Sequence, residues 1–271
     1  MNGSRTDLAL EELPQDGGEL PGVRSESYER QGFRVTEVEV RDERGEKSLC
    51  KPVGKYITMD MDCFFRREED SFPHAAELLA SCIQKLLPLR DADSVLVAGL
   101  GNPAITPDAI GPDAVSGVLA TRHLKETAGS DFSFLRSVSV FKTDVLGTTG
   151  IESAALIRAV SGAVEPSAIV VIDALAARST DKLCRTVQMT DSGIVPGSGV
   201  GNDRAELSRR VFHVPVVAIG VPTVVDAGDG LIVTPRDIDK YVKDAGKLIA
   251  YALNLAIHPR LTMADVDMLV G

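Results

Sequence analysis

A chain of 271 residues can bury a full core, and its 44% hydrophobic and 25% charged content is that of an ordinary globular protein. Aromatic residues make up 4% and Trp is absent, so the core must be mostly Val, Ile, Leu and Ala, which favours α/β packing over a β-sandwich. A net charge of −10 without a long basic run argues against nucleic acid, whose phosphates need clustered Lys and Arg, and no apolar run approaches the roughly 20 residues of a membrane helix.

Residues 1–30 read as a loosely structured segment, because Pro14, Gly17, Gly18, Pro21 and Gly22 interrupt an acidic stretch. They carry no charged-then-apolar signal pattern, which implies a cytoplasmic protein. The four cysteines, Cys50, Cys63, Cys82 and Cys184, form no CxxC pair and read as buried thiols in a reducing compartment. Residues 31–271 read as a single domain. Within 32–60, Phe33, Val35, Val38 and Val40 lead through a turn at Glu43–Glu46 to Tyr56–Asp60, an antiparallel ribbon for a sheet edge. From His74 to Leu87, Ala75, Leu78, Leu79, Cys82, Ile83 and Leu86 fall at helical spacing, and Pro88 stops the helix.

Strand and helix then alternate. Strand 94–100 precedes a helix from Pro112 to about Thr127, with Gly129 beyond its end. Ser137–Phe141 is a strand, and Thr149-Gly150-Ile151-Glu152 is a capping box opening a helix that ends near Gly162. Strands at 168–173 and Cys184–Met189, a short helix at Arg204–Arg210, a strand at Val214–Ile219 and a helix from Thr234 to about Ile257 complete the chain. This order predicts a three-layer α/β fold, a mostly parallel twisted sheet with helices on both faces and an N-terminal antiparallel β ribbon.

Two aspartates fall where such folds keep their chemistry. Asp108 follows Val95–Leu100 through the loop Gly101–Pro107, and Asp173 directly ends Ala168–Ile172. Apolar strands of this kind are buried on both faces of parallel sheets, and ligands bind past their carboxyl ends. Two carboxyls about 3 Å apart cannot both ionise, so they share a proton and act as acid and base on one water. Each Asp also fits a plain turn or helix-start position, so both readings stand on spacing alone.

Other motifs exclude more than they assign. Gly99-Leu100-Gly101 follows a strand, but Pro103 and Pro107 prevent the helix that a dinucleotide fingerprint requires. The glycine-rich run Gly193–Asn202 lacks the Lys-Ser/Thr ending of a P-loop, and Ser198 lacks the flanking glycines of a nucleophile elbow. Its glycines suit either close approach to a peptide or another subunit, or tight surface turns. His74, His123, His213 and His258 show no paired ligand spacing, so no metal site is expected. Glu152 is the capping partner of Thr149. Asp226 and Asp229 are turn residues, and Asp226, behind an apolar segment, is a third candidate for the cleft.

The ordered set Gly99–Asn102, Thr106–Pro112, Thr121–Leu124, Thr149–Glu152, Ile172–Ala176, Pro196–Asn202 and Ala218–Ala227, with Arg5–Ala9 and Val266–Met268 near the ends, resembles the germination protease family of spore-forming bacteria. The resemblance implies an endopeptidase that degrades small acid-soluble spore proteins in the spore core during germination, without a cofactor. It implies a homotetramer made as a zymogen, shedding residues 1–7 by self-cleavage between Asp7 and Leu8. It implies that Asp108 and Asp173 are the aspartic-peptidase pair; Asn102, Glu152, Ser198, Gly199 and Asp226 are the candidates for lining or supporting the cleft. The family is similar in fold to the hydrogenase maturation endopeptidases. Thr6-Asp7-Leu8-Ala9 is similar to the acidic-apolar-Ala sites of the family's substrates. Many members carry extra sequence between the Pro222–Ala227 motif and the C-terminal helix, where this chain is short. Two rival readings are a metal-dependent maturation-type endopeptidase of the same fold and a non-catalytic α/β binding module.

Overall fold

A computed structural model describes residues 6–14, 17–127, 132–201, 204–228 and 231–270. In chain order its elements are β1 (Val23–Arg30), β2 (Phe33–Val40), α1 (Glu43–Leu49), β3 (Gly54–Asp60), α2 (Asp62–Phe65), α3 (Ser71–Leu86), β4 (Ser94–Leu100), α4 (Ile110–Ser116), α5 (Arg122–Thr127), β5 (Ser137–Asp144), α6 (Leu146–Thr149), α7 (Ser153–Val164), β6 (Ala168–Ala177), β7 (Thr186–Thr190), α8 (Arg209–Phe212), β8 (Val216–Gly228), β9 (Leu231–Val233), α9 (Ile238–Ile257) and α10 (Met263–Val270). The strands form one sheet in the order β1-β2-β3-β7-β8-β6-β4-β5, with β9 paired to β8. Strands β5, β4, β6 and β8 run parallel. The ribbon β1-β2-β3 continues antiparallel through β7 to β8. The mixed α/β architecture with a parallel centre is therefore the one expected.

Residue alternation along the central strands builds the layers. Val95, Val97, Val170, Ile172, Val217 and Ile219 face α3, α4 and α9 in the main core. Their neighbours Leu96, Ala98, Ile169, Val171, Val216 and Ala218 face Ala154 and Ile157 of α7. Helix α4 lies close against the sheet: a Cβ on Gly111 would stand 2.5 Å from the Ile172 carbonyl oxygen. That proximity holds the start of α4, and the loop before it, over the ends of β4 and β6.

The strand β6 outruns the expected 168–173. Its pairing with β4 ends at Gly99↔Ile172, while its pairing with β8 runs to Ala177↔Val225. Asp173 therefore sits inside β6, at the first position whose other edge β4 leaves open.

Several local expectations are corrected. Residues 1–30 are not a loose segment throughout. β1 pairs with β2 from Val23↔Val40 to Arg30↔Phe33, and Leu8 and Ala9 are fully buried. The glycines make turns instead, with Gly17 and Gly22 at φ +73° and +75°. Glu43–Glu46 opens α1, because the Asp42 carboxylate accepts from the Arg44 and Gly45 N–H groups as an N-cap. Thr149 and Glu152 form no capping box. Thr149 ends α6 and its Oγ1 accepts from the Ile151 N–H at 3.1 Å, while α7 begins only at Ser153. The short helix expected at Arg204–Arg210 lies at Arg209–Phe212. Cys82 and Cys184 are buried as expected; Cys50, at the end of α1, is exposed and Cys63 is half-buried. Gly129 lies outside the described residues.

The helix expected from Pro112 to Thr127 is split into α4 and α5. Asn254 of α9, fully buried, reaches into the break: its Oδ1 accepts from the Leu119 N–H and its Nδ2 donates to the Gly117 carbonyl, both at 2.9 Å. Thr121 then ties the chain to β5, its Oγ1 accepting from the Val138 N–H at 3.0 Å. Asn254→Leu keeps the branching at Cγ and the heavy-atom count but orphans both backbone groups. It should lower stability by about 2–4 kcal/mol, read as a lower urea midpoint at unchanged slope.

Candidate functional site

The site is built where β4 ends and β6 continues. Gly101, at φ +105°, turns the chain out of β4 in a conformation that favours glycine. The loop folds back so that the Asp108 Oδ2 accepts from the Asn102 N–H at 2.7 Å. The Asn102 side chain itself caps the loop, accepting from the Ala104 N–H at 2.8 Å. Thr223 of β8 fixes the loop from below by donating to the Pro107 carbonyl at 2.6 Å. On β6, Asp173 is 6% exposed and accepts from the Ala174 N–H at 2.9 Å.

Asp108 and Asp173 line one cavity of about 650 Å³, together with Glu152, Arg204, Thr223 and Asp7. Burial holds the Asp173 carboxyl well above the ordinary 3.8, the nearby Asp108 and Asp7 charges raise it further, and the Ala174 N–H partly offsets them. Burial also raises Asp108, with Asp144 adding to the rise and the Asn102 N–H opposing it. Asp173 does not figure in the rise of Asp108. Asp173 is the more strongly raised of the two, so it keeps its proton to higher pH than Asp108.

The N-terminal segment reaches this cavity. The Asp7 N–H donates to the Ala176 carbonyl at 2.9 Å, and the Ala176 N–H donates to Asp7 Oδ2 at 2.8 Å, on the open edge of β6. Ser198 Oγ donates to Asp7 Oδ1 at 2.7 Å. Gln188 of β7 brackets the next bond: its Nε2 donates to the Asp7 carbonyl at 3.0 Å and its Oε1 accepts from the Ala9 N–H at 2.7 Å. Leu8 fills an apolar niche of Leu175, Ala177, Leu183 and Val225. Lys51 Nζ donates to the Thr6 carbonyl at 2.7 Å. Burial lowers the Lys51 ammonium, and the Asp7 and Glu12 charges partly restore it.

The residues singled out in the sequence do not all converge. Asp108, Asp173 and Glu152 share the cavity, and Glu152 pairs there with Arg204 at 3.6 Å. Ser198 and Gly199 lie against Asp7. Asn102 contributes its backbone N–H to Asp108 and its side chain to the loop. Asp226 is a turn residue, accepting from the Gly228 N–H at 2.9 Å and standing outside the cavity lining. Asn202 and Asp229 fall outside the described residues. Gln188 and Lys51 were missed; a Gln inside the otherwise apolar Val187–Met189 run is the one sequence signal that marked either. Among the described residues no group of three or more His, Cys, Asp or Glu is placed to hold a metal ion. Nor is any described helix long and apolar enough to cross a membrane.

The germination protease family model matches residues 5–229. This chain belongs to that family. It is 39% identical to a germination protease of Caldanaerobacter subterraneus subsp. tengcongensis, over 99% of this chain and 98% of that one. A germination protease of Priestia megaterium is 40% identical over 89% of this chain but only 66% of its own length. Membership makes the chain a peptidase, a hydrolase acting on peptide bonds. Among solved structures, the hydrogenase maturation protease HycI from Thermococcus kodakarensis covers 64% of this chain at 17% identity and a TM-score of 0.38, a likeness too remote to bear on the fold.

The buried carboxyl of Asp173 has a consequence for stability. Its folded pKa lies above the unfolded one, so the folded form holds a proton that the unfolded chain has released. Stability contributed at low pH is therefore lost as pH rises above 3.8 and through the raised folded value. Asp173→Asn removes this titration. The variant should be more stable than the parent at neutral pH, with the gap closing as pH falls towards 3.8 in a series of urea melts.

Proposed function

We propose that this peptidase is an endopeptidase of spore germination that degrades small acid-soluble spore proteins in the spore core. On this reading Asp108 and Asp173 activate a water, with no cofactor. The observation that carries it is the sharing of one cavity by two carboxyls, one on the loop after β4 and one inside β6 just past the end of β4, the latter nearly sealed from solvent. Asp108, the less perturbed of the two, is the base and takes a proton from water. Asp173, which holds its proton, is the acid and gives it to the scissile carbonyl oxygen as the hydroxide adds to the carbon. As the tetrahedral intermediate collapses, its hydroxyl proton returns to Asp173, the C–N bond breaks, and the departing nitrogen takes the proton held by Asp108.

The same reading makes residues 1–7 a propeptide that the enzyme removes itself, within a homotetramer. The segment around Asp7 lies along the open edge of β6 beside Asp173. The Asp7 carbonyl is engaged by Gln188 rather than by either aspartate. The segment is thus parked at the site with its carbonyl engaged by Gln188, which suits a zymogen.

Asp108→Asn and Asp173→Asn should each slow both self-processing and cleavage of a spore protein by a factor of about 10²–10⁴, as loss of a general acid or base does. Mass spectrometry of the processed parent should give Leu8 as the new N-terminus. Discrete processing by both variants at the parent rate would sink the assignment.

The pH profile of kcat/KM should be bell-shaped, rising as Asp108 ionises and falling as Asp173 does. Both limbs should lie above the ordinary carboxylate value of 3.8, because burial raises both groups. A profile with a limb at or below that value would count against the assigned roles.

A further inference from the structure

The Gln188 amide touches the backbone on both sides of the bond between Asp7 and Leu8. Its Nε2 donates to the Asp7 carbonyl at 3.0 Å and its Oε1 accepts from the Ala9 N–H at 2.7 Å. A carbonyl only accepts and an N–H only donates, so these partners fix which end of the amide is which. A strand in a parallel pair grips its neighbour in the same way, donating to one carbonyl and accepting from the N–H two residues on. Gln188 is 5% exposed inside β7, and these two hydrogen bonds offset the burial of its amide.

The sheet sets this amide in line with Asp173. Asp173 of β6 pairs with Gly220 of β8, and Gly220 pairs with Gln188 of β7, so the three stand in one row across the sheet. Their neighbours Ile172, Ile219, Val187 and Met189 belong to the main core, so the row faces the opposite way. The middle of the row carries no side chain, and Leu175 lies over it: a Cβ on Gly220 would stand 2.5 Å from Leu175 Cγ. Leu8 packs in the niche that Leu175 helps to form. The two residues flanking the bond are thus anchored along a row with Asp173 at one end and Gln188 at the other.

We propose that Gln188 is a catalytic residue of self-processing, its side-chain N–H holding the oxygen of the carbonyl that is attacked. This inference rests on the aspartate-pair reading and on cleavage between Asp7 and Leu8. As hydroxide from the water adds to the Asp7 carbonyl carbon, the second C–O bond opens and its electron pair moves onto the oxygen. Gln188 stabilises that charge while the proton arrives from Asp173; the oxygen has lone pairs for both donors. A donor already in place at 3.0 Å needs no reorganisation at the moment of reaction, which is what gives such donors their effect. The Oε1 contact with the Ala9 N–H keeps the amide from turning over. The contact that parks the bond before cleavage therefore also serves it during cleavage.

The test follows release of residues 1–7 from the purified full-length chain by mass spectrometry over time. Gln188→Met, which keeps the length but has no donor, should slow release by a factor of about 10²–10³, the usual effect of losing one such donor. The segment should stay seated in that variant, because Asp7 keeps its bonds to Ser198 and Ala176 and Leu8 keeps its niche, and hydrogen exchange at the Asp7 N–H reads this. Slow release together with lost protection there would make Gln188 a seat for the segment and overturn the proposal. Release at the parent rate or faster would also overturn it, a faster rate making the contact a brake. Gln188→Glu keeps the size and the acceptor for Ala9, but it donates to the carbonyl only when protonated. Its deficit against the parent at the same pH should therefore shrink as pH falls, and a deficit equal at every pH would overturn the proposal. Any of these overturning results, with Asp108→Asn and Asp173→Asn unable to process, removes the role of Gln188 alone. Processing by those two variants at the parent rate removes the aspartate pair beneath it.

Discussion

Unequal strand lengths at the centre of the sheet govern the rest of this molecule. β4 stops at Leu100 while its neighbour β6 runs on to Ala177, supported from the far side by β8. The difference leaves a stretch of β6 backbone with one hydrogen-bonding edge unclaimed by any strand. In an open α/β sheet such a notch is where ligands bind, because walls of loop and helix close it on three sides. Here the loop from Gly101 to Asp108 forms one wall and the glycine turn at Ser198 another.

The notch sets the electrostatics as well as the shape. A carboxylate inside the sheet loses its hydration, and among the described residues Asp173 recovers one donor, the Ala174 N–H. It cannot easily be charged beside Asp108 and Asp7, so its proton is retained. Asp108, on a loop, keeps a donor and a looser environment. Two identical side chains are thereby driven apart in acidity by their placement, which is the physical requirement for dividing acid and base roles between them.

Much of this was legible in the sequence. Ala168–Ile172 and Val95–Leu100 read as doubly buried parallel strands, and the acids past them pointed to the cavity that Asp108 and Asp173 share. What escaped detection depended on distant partners. The end of β6 was placed too early, because Ala174–Ala177 are held by pairing with β8 and not by local pattern. The break between α4 and α5 is made by Asn254, more than a hundred residues away in the chain. β1 was hidden for a different reason. It is an edge strand of Arg, Ser and Glu, and charge on an edge is how a sheet discourages unwanted pairing. The first residues read as loose because Gly17 and Gly22 look like interruptions, whereas Leu8 is buried against β6 and β8 and Ala9 against β2, α1 and β3.

The open edge of β6 is covered by the chain's own Asp7, through both backbone groups of Ala176. A molecule without that residue presents a short bare rail inside a hydrophobic cleft. Bare strand edges are the places where proteins recruit one another's backbones and precipitate. The N-terminal segment therefore also caps that edge against pairing with a neighbouring chain.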